Sequence, residues 1–264
     1  MVKEFKKNDW VLILGGSRGL GLASAKKLAK HGMNICIVHR DRKAAMTQIE
    51  KDFVEIENCK VALLSFNKDL LRTEHKSEIL TQLKTALGEK GKIKCLLHSV
   101  AKGNLKPMAA TGSSSLTVLD FEITIQAMAL SLYDWFKSLF VQELLAEDCR
   151  VISFTSEGGR RPLKNYAAIS AAKASLEAIT RNIALEFAPF GIRANCIQAG
   201  VTDTMSLRMI PGSDQIKKHA VRRNPFGRLT VEEDVANAVY LLCKTEAAWI
   251  NGCIIPVDGG EHLS

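Results

Sequence analysis

No stretch of the 264-residue chain approaches the ~18 consecutive apolar residues that a membrane-spanning helix needs. The charged segment from Met1 to Asn8 is followed by neither the apolar core nor the small-residue cleavage site of a secretory signal. These absences predict a cytoplasmic protein with no membrane partner. No C-x-x-C pair occurs, which argues against zinc, and no metal is expected. The seven cysteines (Cys36, Cys59, Cys95, Cys149, Cys196, Cys243 and Cys253) are odd in number. Several lie in apolar runs, where a free thiol behaves as a small hydrophobe, so a disulfide scaffold is a poor reading. Internal repeats, low-complexity tracts and flexible linkers are also missing, which leaves residues 1–264 as one domain. Charge is not concentrated either. The 36 Lys plus Arg against 28 Asp plus Glu give +8, but the basic residues are spread along the chain, so nucleic-acid binding is not implied.

What is present suffices for a large core: 47% of the residues are hydrophobic, and at this length about three quarters of the unfolded surface can be buried. Seven short apolar runs suit buried strands: Trp10 to Leu14, Asn34 to Val38, Lys60 to Ser65, Ile93 to Ser99, Arg150 to Phe154, Ile192 to Gln198 and Gly252 to Val257. Between them lie stretches of helical spacing: Leu20 to His31, Lys43 to Glu55, Lys76 to Leu87, Asp120 to Glu147, Asn165 to Phe187 and Val231 to Cys243. Such alternation requires a parallel sheet covered on both faces, hence an α/β fold with a single doubly wound Rossmann-type domain and a seven-stranded parallel sheet. The long irregular stretches Lys102 to Ser115 and Gly200 to Arg228 follow strands, where such sheets carry ligands, and both are expected to wall one site.

The first strand runs into Gly15, Gly16, Ser17, Arg18, Gly19, Leu20 and Gly21, spaced G-x-x-x-G-x-G. One glycine makes a tight exit, the next lets backbone N–H groups approach a pyrophosphate, and the last lets helix pack on strand. An ordinary strand-to-helix turn is the plain alternative. The place at the first βα junction favours a dinucleotide, with Gly15, Ser17, Arg18, Gly19, Leu20 and Gly21 as its contacts. At the end of the second strand, where an acidic residue would favour a free ribose 2′-hydroxyl, the chain reads His39, Arg40, Asp41 and Arg42. Arg40 and Arg18 can face a 2′-phosphate, so NADPH is the expected cofactor; Asp41 either caps the next helix or touches the ribose.

After the fifth strand come Ser153, Phe154, Thr155 and Ser156, then Asn165, Tyr166 and a helical segment carrying Lys173. Here the chain resembles the short-chain dehydrogenase/reductase family over essentially its full length. The glycine turn, His98-Ser99-Val100-Ala101, Tyr166 with Lys173, Ala199-Gly200-Val201-Thr202-Asp203-Thr204 and Val257-Asp258-Gly259-Gly260 carry the resemblance. Ordinary members place the tyrosine four residues before the lysine, but that position is Ile169, which cannot donate a proton. Tyr166 lies seven before Lys173, an offset that, with Lys173-Ala174-Ser175-Leu176-Glu177-Ala178 and His98-Ser99-Val100-Ala101, is similar to the enoyl-[acyl-carrier-protein] reductase branch. The offset has a chemical reason. Reducing an enoyl thioester puts hydride on the β-carbon and charge on the more distant thioester oxygen, which a phenol displaced by about one helical turn can reach.

The resemblance implies that Tyr166 donates to the enolate oxygen and that Lys173 holds the nicotinamide ribose and, as a nearby cation, favours phenolate character in Tyr166. Ser156 either orients the substrate carbonyl or satisfies local backbone groups. Gln126 replaces the family's catalytic asparagine, which weakens any proton relay through that position. Ser99, Val100, Ala101 and Gly200 are further cofactor contacts, Val201 meets the carboxamide through its backbone, Thr204 meets the pyrophosphate, and Asn67 or Asp69 meets the adenine. Residues 201–228 form a substrate-binding lid in which Met205, Leu207, Met209 and Ile210 either line an acyl pocket or pack a helix. Lys217, Lys218, Arg222 and Arg223 either attract an acidic carrier protein or coenzyme A, or form a solvated basic face. The expected activity is NADPH-dependent reduction of an enoyl thioester on acyl carrier protein or coenzyme A, by a homotetramer built on the segments Asp120 to Glu147 and Asn165 to Phe187. A ketone or 3-oxoacyl reductase, favoured by Ser156, and a catalytically idle NADPH-binding regulatory protein are the alternatives.

Overall fold

The computed structural model describes residues 4–110 and 115–264; positions 1–3 of the charged N-terminal segment and 111–114 of the expected loop Lys102 to Ser115 lie outside them. Seven strands, β1 (Asp9–Leu14), β2 (Asn34–His39), β3 (Leu63–Asn67), β4 (Lys92–His98), β5 (Leu145–Ser156), β6 (Arg193–Ala199) and β7 (Ile254–Val257), form one sheet in the order β3-β2-β1-β4-β5-β6-β7. Every pairing is parallel. The strands read as continuous apolar runs because both faces are covered. Trp10, Leu12 and Leu14 of β1 enter one core with helices α3 (Thr73–Leu87), α5 (Ser131–Val141) and α6 (Ala167–Glu186), whereas Val11 and Ile13 enter the other with α1 (Gly19–Lys30), α2 (Met46–Glu57) and α9 (Glu232–Cys243). One buried cation serves the second layer: Arg150 donates to the carbonyls of Leu242 (3.0 Å) and Lys244 (3.3 Å), closing the end of α9.

Four expectations are corrected. The helix expected over Asp120 to Glu147 is instead α4 (Val118–Ile125), a π turn (Gln126–Leu130) and α5, which ends at Val141. Glu143, at φ 56°, turns the chain into β5, which starts at Leu145 rather than Arg150. Thr117 starts α4 through a reciprocal capping box with Asp120, at 3.2 and 2.9 Å. The stretch Gly200 to Arg228 is not irregular throughout, since it carries α7 (Met205–Arg208) and α8 (Ser213–Arg223). Finally α6 begins at Ala167: Asn165 takes φ 61°, and Tyr166 is the residue before the first turn.

Since the chain leaves β1 for β2 on one side and reaches β4 on the other, a crevice opens at the carboxyl ends of β1 and β4, the place where open parallel sheets bind ligands.

Candidate active site

A cavity of about 1280 Å³ occupies that crevice, lined by the segments that follow β1, β2, β4, β5 and β6 and by α6 to α8. Its floor is the glycine turn. A Cβ on Gly21 would lie 2.3 Å from the Gly15 carbonyl, and one on Gly15 would lie 2.5 Å from that of Ser99, so the turn closes tightly on the end of β4. Gly19, at φ 52°, faces Thr204, whose methyl would be 3.4 Å from a Cβ there. The start of α1 and the loop after β6 therefore approach each other as two lips of one cradle. Thr204 also caps α7, accepting from the Leu207 N–H at 3.3 Å. This bare backbone rim at a helix N-terminus fits a dinucleotide pyrophosphate.

The polar groups of this side are held by carboxylates. Asp41 accepts from Ser17 (2.7 Å), pairs with Arg18 (3.0 Å) and lies 2.9 Å from the His39 ring. These bonds outweigh its burial and hold its carboxyl below the usual range. Arg18 also reaches Met205 Sδ at 3.3 Å, while its Nε is buried and unpartnered. Arg40, largely exposed, pairs with Asp69 at 2.7 Å. Asn67 holds the backbone of Asp41 in both directions, at 2.9 and 3.1 Å. Arg18, Gly19, Leu20, Arg40, Ser99, Val100, Ala101, Gly200, Val201 and Thr204 line the cavity; Gly15, Ser17 and Gly21 form the turn beneath, and Asn67 and Asp69 act through Asp41 and Arg40.

On the other side Ser156, Tyr166, Ile169 and Lys173 share the cavity wall. The Tyr166 ring lies on Gly158, where a Cβ would come within 2.6 Å of Cε1. Burial pushes the phenol up, opposed by the neighbouring Ser156 hydroxyl. That hydroxyl nevertheless meets no atom at proper hydrogen-bond geometry and is buried without a partner. Lys173 donates to the Phe154 carbonyl at 2.6 Å, and burial pulls it down to about 8. The expected lowering of Tyr166 by Lys173 is thus corrected: desolvation dominates, and the ammonium is engaged on β5.

Gln126 is also corrected. It is exposed on a shallow groove with Leu130 and Tyr133, away from the cavity. The buried polar pair in this region is His98 Nε2 with Ser131 Oγ at 2.8 Å, and burial pulls His98 down to about 3, so it is neutral. Met205, Leu207, Met209 and Ile210 line the cavity, and Met205 and Met209 are exposed rather than packed in the core. Arg223 leaves the expected basic face: its side chain is partly buried, bonded twice to Glu157 at 3.0 and 2.8 Å. Sequence reasoning missed Glu157, Gly158 and Glu261; only the Gly158-Gly159 pair after β5 left a local signal. No group of His, Cys, Asp and Glu able to hold a metal occurs among the described residues. Nor, among them, is any helix long and apolar enough to cross a membrane.

A family model described as "Enoyl-(Acyl carrier protein) reductase" matches residues 15–262. The chain is 26% identical over 253 residues to the peroxisomal 2,4-dienoyl-CoA reductase of Mus musculus, covering 96% of this chain and 83% of that one. It is 25% identical over 255 residues to the 3-oxoacyl-[acyl-carrier-protein] reductase of Chlamydia muridarum, covering 96% and 97%. It is 26% identical over 257 residues to the NADH-type enoyl-[acyl-carrier-protein] reductase of Aquifex aeolicus, covering 95% and 89%. The crystal structure of that enzyme superposes with a TM-score of 0.82 at 23% identity, covering 97% of each chain.

Proposed function

The chain belongs to the short-chain dehydrogenase/reductase family of oxidoreductases, and from that premise we propose that it is an NADPH-dependent enoyl-thioester reductase of acyl-chain biosynthesis. The observation that carries this reading is the wall shared by Tyr166, Ile169 and Lys173: the aliphatic Ile169 faces the cavity where a ketone reductase needs its phenol, and the phenol enters from the residue that precedes α6. The family model and the enoyl and dienoyl reductase relatives support it.

A nicotinamide held there would supply hydride to the β-carbon of the enoyl thioester, leaving an enolate whose α-carbon takes up a proton to give the saturated product. Tyr166, kept protonated by burial, donates to the thioester oxygen as negative charge develops there. The Ser156 hydroxyl is a second donor, free of any protein partner. Lys173 would hold the nicotinamide ribose, the Val201 N–H the carboxamide, Thr204 and the glycine turn the pyrophosphate, and Arg18 with Arg40 the 2′-phosphate. Residues 201–228 act as a lid whose Met205, Leu207, Met209 and Ile210 take the acyl chain and keep water out. Exposed apolar side chains along α4 to α6, among them Leu119, Tyr133, Val141 and Leu185, suit a homotetramer built on those helices.

The unpartnered Ser156 and the 3-oxoacyl reductase relative favour a second reading, reduction of a 3-oxoacyl thioester. Incubation with NADPH and either a crotonyl or an acetoacetyl thioester, with mass spectrometry of the products, separates the two. The saturated acyl product is expected; a hydroxyacyl product from the acetoacetyl substrate alone reverses the ranking.

A further inference from the structure

The turn that follows β7 carries a carboxylate into the cofactor half of the cavity. Glu261, 4% exposed, accepts a hydrogen bond at Oε2 from the backbone N–H of Val201 at 3.1 Å. The turn is fixed from both sides. Asp258 accepts from the Gly260 N–H (2.9 Å) and the His262 N–H (3.1 Å) and meets the His262 ring at 2.7 Å, so its carboxylate is fully engaged. Arg223 of α8 donates to the carbonyls of Glu261 and Ser264, each at 2.9 Å, while its guanidinium holds Glu157. Glu261 is therefore aimed at Val201 by a braced backbone. Burial pushes its carboxyl up; the Val201 N–H and Arg223 oppose that, and Glu157 and Asp258 add to it.

We infer that Glu261 is a built-in competitor for the nicotinamide: it holds the Val201 N–H that the carboxamide oxygen of a bound cofactor takes. The inference rests on the reading of Val201 given above. A carboxylate is the stronger acceptor of the two, because a charge-assisted hydrogen bond exceeds a neutral one. Binding the nicotinamide half then exchanges one bond for another instead of adding one. The adenosine half makes its contacts at the far end, around Arg18 and Arg40, whose own partners are Asp41 and Asp69 and which Glu261 does not touch. Glu261 so lowers affinity for the reactive half of the cofactor selectively, which favours its release after turnover.

The test compares NADPH with adenosine 2′,5′-bisphosphate, which lacks the nicotinamide, by isothermal titration against wild type, Glu261→Ala and Glu261→Gln, each variant checked by circular dichroism and thermal melting. Glu261→Ala should tighten NADPH about five- to tenfold, since it removes the competing acceptor from the ligand-free state. Glu261→Gln, isosteric and still carrying an uncharged oxygen for Val201, should tighten it by a smaller factor. Both should bind adenosine 2′,5′-bisphosphate as wild type does. NADPH affinity that is unchanged or weaker in both variants overturns the inference, as does an equal shift for both ligands, which would make Glu261 a scaffold residue. If wild type and variants bind neither ligand, the cofactor reading itself fails, and this inference with it.

Discussion

On the cofactor side of the cavity most polar groups that a ligand would use already have a partner within the chain: Arg18 has Asp41, Arg40 has Asp69 and the Val201 N–H has Glu261. On the catalytic side the Ser156 hydroxyl is buried with nothing to bond, and the Tyr166 phenol is held by ring packing on Gly158. The first side satisfies itself until a ligand arrives, so binding there is an exchange whose net gain is small and sensitive to each partner. The second keeps unsatisfied groups in place, at a cost on the order of 1–3 kcal/mol for a buried hydroxyl, ready for charge that develops in the reaction.

The largest effect should come from the catalytic side. Tyr166→Phe should lower kcat and kcat/KM for an enoyl thioester together, by about 10²-fold or more, since the interaction strengthens as the oxygen gains charge. Ser156→Ala should cost less in rate and leave the melting temperature equal or higher, because it removes an unpartnered hydroxyl. Steady-state kinetics and thermal melts check both; near-wild-type turnover in Tyr166→Phe would leave the catalytic side without its proton donor.

An intermediate effect belongs to Lys173, which borders both sides. With its ammonium pulled down to about 8, kcat/KM should fall as pH rises past that value, while the raised Tyr166 phenol stays protonated. The folded value lies below the ordinary 10.5, so the folded chain binds fewer protons between about 8 and 10.5, and this group's contribution to stability rises with pH across that window. Melting of wild type and Lys173→Met from pH 7 upward measures it; parallel curves would show that Lys173 is not the titrating group.

The smallest effect is expected at Arg40, which must leave Asp69 to meet a phosphate. Arg40→Ala should weaken NADPH about tenfold and leave NADH unchanged. Equal losses for the two cofactors would erase the distinction between an exchanged partner and a structural one.

The strands were legible because burial on both faces writes itself as an apolar run, as in Val11 to Leu14. The start of β5 was not, because Leu145, Ala146 and Asp148 are only partly buried and Glu147 is exposed, so the two acidic residues break that run. Helix α8 was hidden by its polarity, with only Ala220 fully buried. Tyr166, Lys173 and the glycine turn could be found since their spacing is local. The pairs Val201 with Glu261 and Glu157 with Arg223 could not, as their partners lie 60 and 66 residues apart and are joined by the order of strands alone.

The π turn at Gln126–Leu130 acts like a change of gear in a screw. One residue of an α-helix is about 100° of rotation, so a single added residue puts α4 and α5 out of phase with each other. The segment before it can then turn Asp120 and Thr124 toward Asn104 and the loop beside the cavity, while the segment after it turns Trp135, Phe136 and Leu139 into the core. At the junction itself Gln126 lies on the outer surface, while Met128, two residues on, is buried and lines the cavity, so the stretch where the register changes is also where the helix passes from solvent to the site.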